Sequence, residues 1–146
     1  MKYLLIILLT FGLLGSILAQ DTKIIVVAIG TKKMKCNSST YDTHVGLAWW
    51  QGADYDTPIK GAKEDVRTKY PSSEEIFTVY DKGKYLVIIS TDKKHETFGG
   101  ATCDKLFYSV GIGLDANEAL KKAKNKLPYG WKESDGYRTL VDRSIN

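Results

Sequence analysis

Histidine and cysteine, the residues that most often carry nucleophilic or metal chemistry, are scarce in this chain. Its 146 residues hold two histidines, His44 and His95, and two cysteines, Cys36 and Cys103. Neither histidine has a His, Cys or carboxylate partner at metal-ligand spacing, so no metal and no cofactor is expected. The Gly-x-Ser-x-Gly elbow, the phosphate loop and the calcium loop are missing. Gly111-Ile112-Gly113 precedes a helical stretch but lacks the third glycine and the βαβ setting of a dinucleotide turn. With 3 prolines and 13 glycines, the composition excludes collagen-like and disordered classes, and two cysteines exclude a disulfide-dense scaffold. Charge of one sign is lacking too. Lys and Arg total 21 against 17 Asp and Glu, a net +4, too little to argue for nucleic-acid binding.

Long apolar runs are absent except at the start. Lys2 is followed by an uncharged apolar stretch over 3–18, then Ala19, Gln20 and a polar segment from Asp21. A positive start, an apolar run and a small exit residue describe a cleavable secretory signal over 1–19, cut after Ala19. The run is shorter than the roughly 20 residues a spanning helix needs and carries Gly15 and Ser16 near its end, so no stable membrane anchor is expected. The mature chain, 20–146, is then a secreted domain, extracellular or, in a Gram-negative bacterium, periplasmic. In such a compartment Cys36 and Cys103 are expected to pair, closing a loop of 67 sequence steps. Asn37-Ser38-Ser39 beside Cys36 is an N-glycosylation acceptor if the source is eukaryotic.

Sliding the chain against itself by 61 residues lays 23–82 on 84–143 without a gap. Lys32-Lys33 falls on Lys93-Lys94, Gly52 and Asp54 on Gly113 and Asp115, Ala62-Lys63 on Ala123-Lys124, and Asp81 on Asp142. Each copy reads as strand, strand, helix, strand. The first strands, 24–29 and 85–90, are apolar on both faces; second strands lie at 45–50 and 106–112, and third strands at 76–80 and 137–141. Polar loops over 34–43 and 95–104 hold one cysteine each. Asp115 and Glu118 form a capping box for the second helix, with Ala116, Ala119, Leu120, Ala123 and Leu127 on its inward stripe. Asp54 or Asp56 caps the first, whose stripe is Ile59, Ala62, Val66 and Tyr70. Asp81-Lys82-Gly83 reads as a short hairpin turn into 85–90. The expected fold is a single α+β domain built from two β-β-α-β repeats, with one mainly antiparallel sheet of about six strands and two helices.

The stretch from Tyr108 to Ala123, in which a strand ends in glycine and leads to a Glu118-Ala119-x-x-x-Ala123 helix, resembles a motif of small exported domains of unknown function. The resemblance implies export and fold type. It assigns no catalytic residue.

Two features point to binding. Lys32, Lys33, Lys93 and Lys94 end equivalent strands, and symmetry could gather them into a basic patch for an anionic partner. Trp49 and Trp50 are adjacent in a strand and face opposite sides, so one ring meets the helix and Trp50 is expected on the second sheet face. That face, uncovered by two helices, would be buried by curling, by a partner or by a homodimer. The leading expectation is a secreted, non-enzymatic binding or interaction domain for an extracellular protein or glycan. A small extracellular hydrolase using His95 with Glu96, or an inhibitor of a secreted enzyme inserting a cysteine-anchored loop, are the alternatives.

Overall fold

Apolar residues stand on both faces of two stretches, and each stretch becomes the middle strand of its own sheet. The computed structural model describes residues 22–97 and 99–145; the expected signal segment 1–19 and the expected cleavage point lie outside them. The elements are β1 (Lys23–Cys36), β2 (Ser39–Gly52), α1 (Asp56–Lys69), β3 (Glu75–Gly83), β4 (Tyr85–Glu96), β5 (Thr102–Gly113), α2 (Ala116–Asn125), a 3₁₀ turn (Glu133–Asp135) and β6 (Arg138–Ser144). The repeat is real in three dimensions, since each half supplies strand, strand, helix and strand. The strands do not form one sheet, however. They form two three-stranded antiparallel sheets, ordered β2-β1-β3 and β5-β4-β6.

The physical reason lies in the alternation of β1 and β4. Ile24, Val26 and Ala28 meet Ala62 and Val66 of α1. Val87 and Ile89 meet Ala119 and Ala123 of α2. The other rows, Ile25, Val27 and Ile29 with Leu86, Ile88, Val110 and Ile112, pack on each other in a central core joined by Leu47 and Trp49. The order of layers is helix, sheet, sheet, helix. In a single six-stranded sheet with both helices on one face, that second row would meet water. Here each half covers the other's, so of the covers considered for the second face it is the chain's own other half that lies there.

Gly83 is not a hairpin turn, and β3 does not pair with β4. The chain passes through Lys84 directly from one sheet to the other. Lys84 N–H donates to the Gly113 carbonyl (2.9 Å) and its own carbonyl accepts from Ile145 N–H (2.7 Å). Glycine is needed at 83 for closeness: an added Cβ would sit 2.6 Å from the Ile112 methyl and 2.8 Å from the Gly113 oxygen.

Most of the first expected cysteine loop, and both ends of the second, are strand. β1 and β2 stay paired out to Cys36 and Ser39, turning at exposed Asn37, whose φ is +53°; asparagine tolerates that region well. The glycosylation acceptor therefore stands at a hairpin tip. β4 and β5 pair out to Glu96 and Thr102. The expected Cys36–Cys103 disulfide joins these two tips, with Cα atoms 6.0 Å apart.

β5 is an edge strand, yet its outer edge is closed. Tyr41 Oη donates to the Asp104 carbonyl (2.8 Å), Thr43 Oγ1 accepts from Leu106 N–H (2.9 Å), and His44 Nδ1 accepts from Tyr108 N–H (2.7 Å). Lys126, the C-cap of α2, and Lys122, on its last turn, donate to the Val110 and Ile112 carbonyls (3.1 and 2.9 Å). Side chains thus do the work of a missing strand and blunt an edge that would otherwise recruit one.

Candidate functional site

The local sequence that sets Trp50 in place is the alternation of β2. Gly46, Ala48 and Trp50 face α1, while Leu47 and Trp49 enter the core between the sheets. Trp50 therefore lies on the helix side and not on the second face. The Arg143 guanidinium stands over the Trp49 ring, 5.3 Å from its centre. One face of the Trp50 indole rests on Gly61 of α1, where an added Cβ would come within 2.6 Å of the ring. Trp50 Nε1–H donates to Asp65 Oδ2 (3.0 Å), which also accepts from Lys69 (3.3 Å). The indole N–H first, and Lys69 second, hold the Asp65 carboxyl below the usual carboxylate range. Trp50 as a whole residue is 40% exposed. Beside it runs an open groove of about 450 Å³ lined by Trp50, Asp56, Thr57, Lys60, Gly61 and Glu64. Spacing of four along α1 puts Asp56, Lys60 and Glu64 on one ridge. Of these, Trp50 alone is expected from sequence to bind, and Asp56 is expected only as a helix cap. The signal for the rest was that helical spacing.

The four lysines are partly committed. Lys94 is ion-paired with Asp104, and Lys93 donates to the Tyr129 carbonyl. Lys33 N–H donates to Glu74 Oε2 (3.3 Å), which keeps a carboxylate beside that pair. Lys93 also lies directly opposite Lys105 across the β4–β5 pairing, and both border a small cavity of about 200 Å³ with Lys94, His95, Glu96, Phe107 and Pro128.

Neither histidine is in a loop. His95 is on β4, its ring stacked on Tyr41 with centres 4.6 Å apart. Among the described residues no hydrogen bond joins it to Glu96, its neighbour on the strand. His44 is on β2 and only 8% exposed. An extra residue, Val45, interrupts the β1–β2 register so that Gly30 pairs with Gly46 and Thr31 with His44. That bulge turns His44 towards the second sheet, where it stacks on Phe107 with centres 4.6 Å apart. Burial, then the Lys105 charge, lowers its pKa from 6.5 to about 4. Among the described residues no group of three or more His, Cys, Asp or Glu side chains could hold a metal ion, and no helix is long and apolar enough to cross a membrane.

The chain matches no protein-family model, no curated protein and no solved structure. What the site can do therefore rests on its own geometry: a fixed aromatic surface bordered by carboxylates, a hydroxyl and an ammonium group.

Proposed function

We propose that the chain is an exported, non-enzymatic binding domain that takes a neutral sugar chain in the Trp50 groove. One observation carries this reading: the indole is held on one face by Gly61 and at its edge by Asp65, yet Trp50 as a residue remains 40% exposed and borders an open groove. A sugar ring has an apolar C–H face and a polar rim. The first suits a flat aromatic surface and the second suits Asp56, Thr57, Lys60 and Glu64. Because the ring is already fixed, binding costs little ordering entropy.

Calorimetry with neutral and anionic oligosaccharides at low and high salt tests this. Binding of a neutral sugar, unchanged by salt and lost in Trp50→Ala, is expected. Binding of anionic sugars only, abolished by salt, would move the site to Lys32, Lys33, Lys93 and Lys94. Undiminished binding by Trp50→Ala would end the reading. For export, N-terminal sequencing of the natural mature protein should begin at Gln20.

A further inference from the structure

We infer that the second half carries its own sugar site on α2, so that one chain holds two sugar segments on opposite outer surfaces. This rests on the reading above for the first site. Its separate evidence is the repeat. At the offset of 61, Asp56, Lys60 and Glu64 fall on Asn117, Lys121 and Asn125. All six are exposed, and each trio is a ridge of one helix. Each ridge borders an open groove with a tryptophan in its wall: Trp50 in the first, Trp131 in the second, where the groove measures about 360 Å³.

The two tryptophans are not sequence equivalents, and the packing explains the exchange. Trp50 falls on Gly111, and there an added Cβ would lie 1.8 Å from the Ala119 carbonyl oxygen. Helix α2 is seated so close to β5 that no indole fits beneath it. Trp131 falls on Tyr70, whose ring covers Gly46 in the first half. The equivalent of Gly46 is Phe107, which leaves no such bed. Trp131 lies instead at the flank of α2, beside Leu120 and Lys124. It is pinned by its Nε1–H to the Gly136 carbonyl (3.2 Å), as Trp50 is pinned to Asp65.

Charge selects the class of ligand. The α1 ridge is acid, lysine, acid, and the α2 ridge is amide, lysine, amide. Their net charges differ in sign, −1 and +1, so a charged ligand would suit one groove and be repelled by the other. A neutral polyhydroxylated ligand suits both, since carboxylates accept from hydroxyls and amides both donate and accept. Because α1 and α2 cover opposite sides of the paired sheets, the grooves face apart. One chain would bridge two polymers, not wrap one.

The test is the number of sites, measured by calorimetry on the mature chain with a panel of linear neutral tetrasaccharides of glucose, mannose, xylose and N-acetylglucosamine. Two sites per chain are expected in the wild type, one in Trp50→Ala, one in Trp131→Ala and none in the double variant. Because Trp131 is half-buried, Asn117→Ala with Asn125→Ala, at exposed positions, provides the same test with less risk to the fold and should also leave one site. The parent polymer should turn the wild-type solution turbid, and either single variant should stay clear. A single wild-type site lost in Trp50→Ala but untouched in the α2 variants overturns this inference and leaves the Trp50 reading standing. No site at all, or one that survives Trp50→Ala, overturns both.

Discussion

At the scale of the residue, His44 shows how burial and a hydrogen bond can fix a protonation state. Its Nδ1 accepts from Tyr108 N–H, so the imidazole is held neutral, with the proton on Nε2. Its folded pKa, about 4, lies below the unfolded 6.5. The unfolded chain therefore takes up the extra proton first as pH falls. The stabilisation is complete above 6.5 and is lost progressively as pH drops from 6.5 through 4, by on the order of 2 kcal/mol once partial solvent screening is allowed for. Denaturant titrations between pH 7.5 and 3.5 should show this loss. His44→Phe should flatten that part of the curve while costing about 1–3 kcal/mol at pH 7, because Tyr108 N–H is left without an acceptor. Sequence showed a histidine before a strand. It could not show the bulge at Val45 that turns the ring inward, since a bulge is visible only against the partner strand. Glycine was equally mute. Gly111→Ala should cost about 3 kcal/mol, at the upper end for overpacking, because the new methyl meets backbone, whereas Gly61→Ala meets a side chain, the Trp50 indole, and should cost about 1–2 kcal/mol. Thermal denaturation of the two variants would rank them, and Gly61→Ala, by pushing the indole off its seat, should also weaken sugar binding.

At the scale of the element, most of the local signals in the sequence are honoured. Asp115 caps α2, its carboxylate accepting from Glu118 N–H (2.9 Å), while Glu118 reaches back to Leu114 N–H (2.7 Å), one residue earlier than the expected box. Asp54, not Asp56, accepts from Thr57 N–H at the start of α1 (2.9 Å). Asp115→Ala should lower stability by about 1 kcal/mol, measured by chemical denaturation. The inward stripes pack as read except for Ala116, which stays outside the cluster on α2, since 3.6-residue periodicity is a local property. The hairpin tips were not legible. Cys36, Tyr41 and Thr43 are buried and His95 and Cys103 half-buried between mostly exposed neighbours, but this inward row holds no aliphatic residue, so it carries no period-two apolar signal. What holds the tips is the cystine and the side-chain bonds from Tyr41, Thr43 and His44 to β5, all contacts between distant parts of the chain. Replacing both cysteines by serine should cost about 2–4 kcal/mol, with the loss of order, read by hydrogen exchange, concentrated in the two tips.

At the scale of the whole molecule, the repeat told how many halves to expect and how many faces each strand buries, but not what covers them. An apolar strand reads the same whether its second face meets a helix, a partner or the other half. The division of six strands into two sheets was settled by that missing fact. It follows that neither half is self-sufficient. A chain of residues 22–83 alone would expose Ile25, Val27, Ile29, Leu47 and Trp49; sedimentation should find it associated or aggregated, never a folded monomer. The two halves are also fastened twice. Lys84 joins them where β1 begins, since Gly83 lies opposite Lys23. The Cys36–Cys103 bond joins them where β1 ends. The molecule is thus a locket with a peptide hinge and a sulfur clasp. Cutting the hinge would free neither leaf until the clasp was also reduced, and a reductant alone would open the clasp while the hinge kept each leaf within reach of its mate.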